Sequence, residues 1–299
     1  MASSLSDHSK GLLLTATGGL FLTVDIPLIK LANGDAWSIL LLRSGATFLA
    51  AMLLWLVWRM LSPRAPALVP GWAGLAVAAF YSLASVTFIT AVYTTTTANL
   101  VFILAFNTMF AALLSWVFLK ERPRPATLAA MAAMIVGVLI IVEDGLSAGN
   151  LFGDMMALAT AFFIASAITV SRSTGRDMGF TALVAVVLPF AVAAVMVTQG
   201  GFRVEAPWWI ILNGAVVMPV SFYCLATGPR FLSGPEVAMF YLLETVLAPI
   251  WVWLIFMETP STQSLFGGAI LVTALLAHSL WRLSDGRRNI SAKAAQQPA

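Results

Sequence analysis

The chain contains few of the residues from which most catalytic and metal centres are built. Only 10% of its 299 residues are charged, whereas soluble domains carry about a quarter. It has one cysteine, Cys224, and two histidines, His8 and His278, which lie near the two ends of the sequence. A single cysteine excludes an intrachain disulfide and a cysteine-based metal cluster, and two distant histidines argue against a zinc site. We therefore expect neither a metal nor a cofactor.

Nucleotide-binding signatures are also missing. The sequence contains neither G-x-x-x-x-G-K-[ST] nor G-x-G-x-x-G, so this chain alone cannot be an ATP-driven pump. Its isoelectric point of 9.3 would suit a nucleic-acid partner only if the basic residues formed a binding surface. They lie instead at the ends of apolar runs. We interpret them as topological signals and expect no nucleic-acid partner.

Apolar runs make up most of the chain. Hydrophobic residues account for 60% of the sequence, and the mean hydropathy is +0.94. Many runs approach the ~20 apolar residues that a bilayer-spanning helix needs. They predict an all-α membrane protein with ten transmembrane helices and no soluble domain. The predicted spans are 11–31, 36–58, 71–93, 96–119, 126–142, 151–172, 180–199, 207–227, 235–257 and 264–283.

The chain contains two copies of one unit. The motif W-x4-E-x-P occurs at Trp116–Pro123 and again, 137 residues later, at Trp253–Pro260. The same register aligns Pro70–Pro123 with Pro207–Pro260 without a gap, and ten of these 54 pairs are identical. Apolar composition alone does not align prolines, tryptophans and a glutamate in one register. The chain is therefore a duplicated unit.

The basic residues favour one side of the membrane. When the loops are assigned alternately to two sides, thirteen lysines and arginines fall on one side and two, Lys30 and Arg203, on the other. An excess of such residues marks the cytoplasmic side, so both termini are predicted to be cytoplasmic. The thirteen residues are Lys10, Arg59, Arg64, Lys120, Arg122, Arg124, Arg172, Arg176, Arg230, Arg282, Arg287, Arg288 and Lys293.

Each repeat contains an odd number of spans. Residues 11–142 and 150–283 hold five predicted spans each, and a cytoplasmic tail follows at 284–299. Because five crossings reverse the direction of the chain, the second repeat must be inverted relative to the first. A weaker match between the first spans of the repeats places Lys30 opposite Arg172. Inverted repeats around a midplane site are a recurring plan of secondary transporters, in which each side opens in turn.

Two stretches resemble a known family. The sequences A-V-Y-T-T-T-T-A-N-L and L-L-E-T-V-L-A-P-I-W-V-W, with an E-x-P before the last span of each repeat, resemble the ten-helix EamA-type exporters of the drug/metabolite transporter superfamily. The resemblance covers residues 11–283. It implies alternating access to a central cavity lined mainly by spans 1, 3, 4, 6, 8 and 9. Bacterial members include exporters of amino acids, aromatic ones among them. The first repeat departs from the pattern, because Ala112 stands where the second has Pro249.

Polar side chains at membrane depth are the candidate site residues, because burying them without a partner is costly. Glu244 lies nine residues into span 9, roughly 14 Å along a helix, and so near the middle of a ~30 Å core. Its repeat equivalent, Asn107, also falls near the middle of its span. We predict that both contact substrate in a shared central cavity. The alternative is an interhelical hydrogen bond that fixes packing.

Asp25 is the second carboxylate within a predicted span, and Pro27 follows it closely. Proline removes a backbone hydrogen bond, so span 1 is predicted to be broken here, as spans often are at transporter sites. Asp25 is therefore a further candidate for substrate binding. Alternatively, it pairs with Arg43 or Lys30. Arg43 itself is predicted to pair or to reach the interface rather than to bind substrate.

Aromatic and hydroxyl residues complete the predicted lining. Tyrosine presents a flat apolar ring with one polar group, which suits an amphipathic solute. Ordinary helix packing is the alternative for each residue. The candidates are Tyr81, Ser82 and Ser85 in span 3, Tyr223 in span 8, and Tyr241, which lies three residues before Glu244 on the same helical face.

Other repeated or clustered polar residues are assigned structural roles. Glu121 and Glu258 each precede a proline near the start of the next helix, where a carboxylate favours the positive helix dipole. The run Thr94–Thr97 is predicted to form a tight turn whose hydroxyls satisfy free backbone groups.

The leading hypothesis is a secondary transporter, not an enzyme, that exports small amphipathic metabolites, most of all amino acids. The expected partners are the small-molecule substrate and the lipid bilayer, and the chain is expected to act as a monomer. One alternative is a transporter of drug-like cations or of other metabolites. Another is an intramembrane enzyme, which would need paired catalytic groups at one depth. Two candidate acids without a midplane lysine or arginine disfavour strongly anionic substrates such as phosphate esters.

Overall fold

The structure is a computed structural model, and it describes residues 7–61, 67–174, 178–227 and 234–294. Over these residues the chain forms helices joined by short turns. The β-type backbone pairing in the described ranges is a single antiparallel bridge between Gly34 and Val204. The helical segments are Asp7–Leu22 and Asp25–Leu31 (span 1), Ala36–Leu61 (span 2), Gly71–Thr94 (span 3), Thr97–Leu104 and Asn107–Leu119 (span 4), Pro125–Ala148 (span 5), Leu151–Thr174 (span 6), Gly179–Val184 and Val187–Gly200 (span 7), Pro207–Leu212, the π-helical Asn213–Val217 and Met218–Thr227 (span 8), Gly234–Phe256 (span 9), and Thr262–Ala294 (span 10).

The predicted spans are confirmed in number and order. Nine helices among the described residues are long and apolar enough to cross a membrane, and span 9 supplies a further apolar helix. The largest differences from the predicted ends occur in spans 5 and 10. Span 5 continues past residue 142 to Ala148, because charged residues do not stop a helix, and it ends at Gly149 in the left-handed conformation (φ 79°). Span 10 remains helical to Ala294, through most of the predicted tail.

Several spans are interrupted. The break predicted near Asp25 is confirmed, since the first segment of span 1 ends at Leu22 and the second begins at Asp25. Span 7 has a similar break before Val187, again with a proline at the third position of its second segment. Span 4 breaks before Asn107 without any proline, whereas its repeat equivalent, span 9, stays helical through Pro249. The two repeats therefore bend differently at equivalent positions.

The packing of the spans follows the inverted repeat. Span 1 packs against spans 8 and 9, and its equivalent, span 6, packs against spans 3 and 4. Spans 2 and 7 form one peripheral pair, and spans 5 and 10 form another. Glycines allow close approach at these contacts. A Cβ on Gly19 would lie 2.7 Å from the carbonyl oxygen of Phe240, and a Cβ on Gly137 would lie 2.8 Å from that of Gly267.

The connections lie at two faces of the molecule. The Asn33 face contains the connections 32–35, 95–96, 149–150, 201–206 and 257–261, and the Glu121 face, at the opposite end, contains the connection 120–124. At the Asn33 face, backbone hydrogen bonds of 3.1 Å join the first connection to the fourth, from Asp35 N to Arg203 O and from Glu205 N to Asn33 O.

Thirteen lysines and arginines were predicted to be cytoplasmic, and those within the described ranges lie at the end of the molecule that carries the Glu121 face. Arg64, Arg176 and Arg230 lie outside the described residues. The assignment of this face to the cytoplasm stays a prediction.

The buried core is concentrated toward the Asn33 face. Of the twelve largest fully buried side chains in the described part of the chain, all but Val77 and the nearly central Leu271 lie in that half. Toward the Glu121 face, Val77, Ala167 and Met178 form a smaller buried cluster. One half of the bundle is thus packed more tightly than the other.

Candidate functional site

A buried polar cluster joins the two repeats at the interrupted spans 1 and 8. Arg43 of span 2 donates from Nη2 to both carboxylate oxygens of Asp25, at 3.0 and 2.8 Å, and from Nε to Oδ1 of Asn213, at 3.0 Å. Asn213 in turn donates from Nδ2 to Oδ1 of Asp25, at 2.6 Å, and to the backbone carbonyl of Asp25, at 3.2 Å. Asp25, Arg43 and Asn213 are 3%, 8% and 0% exposed. Each of the three side chains contacts the other two.

Local backbone features bring these side chains together. Asp25 begins the second segment of span 1, and Asn213 begins the π-helical turn of span 8. Such turns often occur at functional sites, because they redirect side chains within a helix. Gly214 lets span 8 approach span 2 closely, since a Cβ there would lie 2.5 Å from the carbonyl oxygen of Arg43. Phe88 lies beside the guanidinium, with its ring centroid 5.4 Å from Cζ.

One end of the Arg43 guanidinium has no hydrogen-bond acceptor in the part of the chain that the structure describes. Its Nε and Nη2 atoms bind Asn213 and Asp25, and Nη2 also contacts the Met218 sulfur at 3.1 Å. Among the described residues, none accepts a hydrogen bond from Nη1. Both N–H groups of Nη1 therefore lack an acceptor within the described ranges.

The cluster corrects two expectations from the sequence. Arg43 pairs with Asp25, as one predicted alternative held. The prediction that disfavoured anionic substrates assumed that no arginine lies at this depth, and the position of Arg43 contradicts that assumption. Asn213 was not among the predicted site residues. The signal was present in the sequence, because Asn213 is a lone amide within an apolar span, as Asn107 is. The same reasoning would have selected both.

Glu244 lies on span 9 close to this cluster. Span 9 packs against both segments of span 1, the second of which begins at Asp25. Trp251, seven residues later and on the same helical face, donates from Nε1 to the hydroxyl of Thr23 at 3.2 Å, next to the break in span 1. Glu244 is half-buried, and its carboxylate has no hydrogen-bond donor among the described residues. Within the described residues, the Glu244 carboxylate thus lacks a donor and Nη1 of Arg43 lacks an acceptor.

Asn107 occupies the equivalent place in the first repeat. It is the first residue of the second segment of span 4, and it is half-buried. No residue in the described ranges forms a hydrogen bond with its side-chain amide. Its proposed role in a shared cavity with Glu244 stays a prediction.

The three candidates in span 3 differ in their surroundings. Ser82 is buried, and its hydroxyl oxygen lies 2.7 Å from the carbonyl oxygen of Ala78 and 2.6 Å from that of Ala185, so the two carbonyls share its one proton. The Ala185 carbonyl is the one freed at the break in span 7. Tyr81 packs against the small cluster that contains Val77. Ser85 is half-buried. Ser82 thus has a structural contact that the sequence did not indicate.

The remaining tyrosines lie apart from the buried cluster or outside the described side chains. Tyr223 is 51% exposed and packs edge-on against Trp58, with ring centroids 6.5 Å apart. Tyr241 lies in the helix of span 9, but its side chain is outside the described part of the structure.

The structure gives Glu121 and Glu258 partners other than the following helix. Glu121 pairs with Arg172 at 3.1 Å, and Glu258 pairs with Lys30. The predicted turn at Thr94–Thr97 is confirmed, since the hydroxyl of Thr96 accepts a hydrogen bond from Asn99 N at 3.2 Å. In the part of the chain that the structure describes, no group of three or more metal-binding side chains comes together.

Comparisons with known proteins agree with this architecture. The EamA-like transporter family matches residues 9–143 and again residues 151–280. A solved structure described only as "Crystal structure of protein" superposes with a TM-score of 0.65 at 17% sequence identity, covering 92% of this chain and 98% of that one. At that identity the likeness concerns the fold alone. A comparison with curated proteins found no match.

Proposed function

This chain belongs to the EamA-like transporter family, and we propose that it exports amino acids by alternating access to a central cavity. The family consists of membrane transporters of small metabolites. The proposal places the protein in a bacterial inner membrane with both termini in the cytoplasm. The observation that carries it is the buried cluster of Asp25, Arg43 and Asn213, which joins both repeats at interrupted helices.

Burying this cluster costs free energy, and that cost is an argument for a function. A charged pair at membrane depth loses its hydration, and it is retained mainly where it binds a ligand or a coupling ion. The Asn213 amide satisfies Arg43 and Asp25 together, which fixes the guanidinium in one orientation. The free Nη1 of Arg43 is then preorganised to receive a carboxylate, and a planar guanidinium suits that group.

Glu244 supplies the opposite charge. Its unpaired carboxylate can receive an ammonium group while Arg43 receives a carboxylate. A zwitterion bearing both groups would match both charges. Asp25, Arg43 and Glu244 together provide two negative charges and one positive charge, so a strongly anionic solute such as a phosphate ester is disfavoured. Phe88 and Trp251 add aromatic surface for the apolar part of an amphipathic solute.

A transport assay in sealed proteoliposomes tests the substrate class. A labelled amino acid is supplied together with competitors that keep only one of its two charged groups, either the amide (no carboxylate) or the des-amino acid (no ammonium). We expect intact amino acids to compete at least about tenfold better than either analogue, since losing a hydrogen bond to a charged group costs about 1.5–3 kcal/mol.

The alternatives give different outcomes in the same assay. Uptake of a labelled organic cation or amide, without uptake of a labelled amino acid, would favour the drug-cation transporter and contradict the amino-acid proposal. Empty proteoliposomes control for leakage. The intramembrane enzyme hypothesis predicts a chemically altered product, which chromatography of the recovered solute would detect.

A further inference from the structure

Two ion pairs connect the repeats at opposite faces of the molecule. At the Asn33 face, Lys30 of the first repeat pairs with Glu258 of the second. At the Glu121 face, Arg172 of the second repeat pairs with Glu121 of the first, at 3.1 Å. Lys30 and Arg172 are aligned in the two repeats, and so are Glu121 and Glu258. The two pairs are therefore one interaction that the inverted duplication has placed at both faces.

The backbone around the two glutamates is also the same. Lys120 and Met257, the residues directly before them, have φ values of 55° and 56°. Side chains other than glycine rarely adopt this left-handed conformation. The same uncommon turn thus directs Glu121 and Glu258 toward the other repeat. Its presence in both repeats indicates a shared function for the pairs.

The two pairs differ in their surroundings. The side chains of Lys30 and Glu258 are 21% and 27% exposed, whereas those of Arg172 and Glu121 are 53% and 54% exposed. Glu258 also accepts a hydrogen bond from the backbone N of Thr97 at 2.7 Å. Arg172 donates to the hydroxyl of Ser115 at 3.1 Å. The pair at the Asn33 face is therefore the better shielded of the two.

We propose that these pairs are the two gates of the transport cycle, and that each must break for its own face to open. The inference rests on the proposed alternating access, but not on the identity of the substrate. Lys30 lies at the end of span 1 and Glu258 directly after span 9, so their separation opens the Asn33 face. Arg172 and Glu121 stand at the ends of spans 6 and 4 and close the other face. A depression of about 590 Å³, bordered by Lys30, lies at the Asn33 face, where a solute passing this gate would leave or enter.

The gates can be tested by the accessibility of paired cysteine reporters. Thr23 and Ala165 are aligned in the two repeats, each seven residues before its gate cation, and they are 2% and 0% exposed. Thr23→Cys and Ala165→Cys are made separately in a Cys224→Ala background. A membrane-impermeant thiol reagent is applied to one side of sealed vesicles at a time. A third reporter, Gln199→Cys, at the exposed end of span 7, identifies the side on which the Asn33 face lies.

Charge reversal should act on the reporters in opposite directions. Lys30→Glu places two carboxylates together at the Asn33 face, and their repulsion should open that face. The labelling rate of Thr23→Cys from that side should then rise about tenfold, and the labelling rate of Ala165→Cys from the other side should fall. Arg172→Glu should raise the labelling of Ala165→Cys instead, by about threefold, because its pair is more exposed. The swaps Lys30→Glu/Glu258→Lys and Arg172→Glu/Glu121→Arg should restore the original rates.

Matched controls separate gating from a general effect of charge. Arg203→Glu and Arg122→Glu change exposed cations at the same two faces, and neither side chain has a partner among the described residues. Neither control should alter labelling. If Lys30→Glu lowers the amount of protein in the membrane, Lys30→Gln tests the same pair with a smaller perturbation.

Some results would overturn the gate assignment. One is a charge reversal that changes the labelling rates of both reporters in the same direction. Another is a control variant that changes these rates as much as a charge reversal does. The third is a swap that fails to restore the original rates. Because the reporters need no substrate, reciprocal labelling without amino-acid transport would refute only the proposed substrate.

Discussion

The half of the molecule toward the Asn33 face and the half toward the Glu121 face are built from equivalent spans but are packed differently. The first contains the buried pair of Asp25 and Arg43, most of the large buried side chains and connections joined by hydrogen bonds. The second contains the exposed pair of Arg172 and Glu121. Both pairs join an arginine to a carboxylate. The surroundings of an ion pair, rather than its chemistry, therefore decide how much the fold depends on it.

The largest effect should follow from breaking the buried pair alone. Arg43→Met leaves the carboxylate of Asp25 buried without its cation, which should destabilise the protein by about 3–5 kcal/mol. Thermal unfolding in detergent and the yield of protein in the membrane measure this. The double variant Asp25→Asn/Arg43→Met should recover most of the stability, because neither partner then carries a charge. A single variant as stable as the wild type would remove the energetic distinction between the two halves.

The next effect concerns the polar residues near the middle of the molecule. Glu244→Gln and Asn107→Ala should leave expression nearly normal but weaken substrate binding ten- to a hundredfold, since each removes a hydrogen bond worth about 1.5–3 kcal/mol to a charged group. Equilibrium binding and the substrate competition profile measure the change. A packing role would instead lower the melting temperature and leave the profile of the surviving protein unchanged. Wild-type affinity and selectivity in both variants would contradict the site assignment.

A smaller effect is expected at the turn that begins span 2 at the Asn33 face. The carboxylate of Asp35 accepts hydrogen bonds from the backbone N atoms of Trp37, at 3.0 Å, and Ser38, at 3.1 Å. Asp35→Ala should cost about 1 kcal/mol of stability, whereas Asp35→Asn should keep most of it, because asparagine caps a helix as well as aspartate does. Chemical or thermal unfolding distinguishes them.

The same residue should give a pH dependence. Partial burial acts to raise the pKa of Asp35, but hydrogen bonds from Ser38 and Trp37 outweigh it and hold the pKa below its ordinary value. A lowered pKa in the folded state contributes stability above the unfolded pKa of about 3.9, and this contribution is lost as the pH falls through the folded value. Wild type should therefore lose stability relative to Asp35→Asn below about pH 4. Parallel stability curves for the two would contradict this.

The smallest effect should come from the exposed pair. Glu121→Gln should change the stability by less than about 1 kcal/mol, and the change should shrink further at high salt, because exposed ion pairs are weak and screened. Melting temperatures at low and high ionic strength check this. A loss of stability as large as that expected for Arg43→Met would show that the exposure of an ion pair does not predict its contribution to stability. The gate proposal is unaffected by a small value, since it concerns the balance between two conformations.

Much of the fold could be predicted from the sequence. The spans follow from hydrophobic length, and the repeat follows from W-x4-E-x-P and its aligned prolines. The break in span 1 was predicted because Pro27 follows an intramembrane acid. The break in span 4 before Asn107 was not, since no proline marks it.

The candidate site was predicted only in part. Polar residues within apolar spans selected Asp25, Glu244 and Asn107, and the same signal would have selected Asn213. Ser82 was selected as a lining residue, yet its hydroxyl binds the carbonyl of Ala185, which only the break in span 7 makes available.

Hydrophobic length and the internal repeat predict the number of crossings and the duplication, because a rise of about 1.5 Å per residue relates the length of an apolar run to the thickness of a bilayer. Which residues meet depends on the tertiary structure. Arg43 binds Asn213 across 170 residues, and Lys30 binds Glu258 across 228. The rotation of each helix and the choice of its neighbours determine such contacts, and both depend on how all the spans pack together.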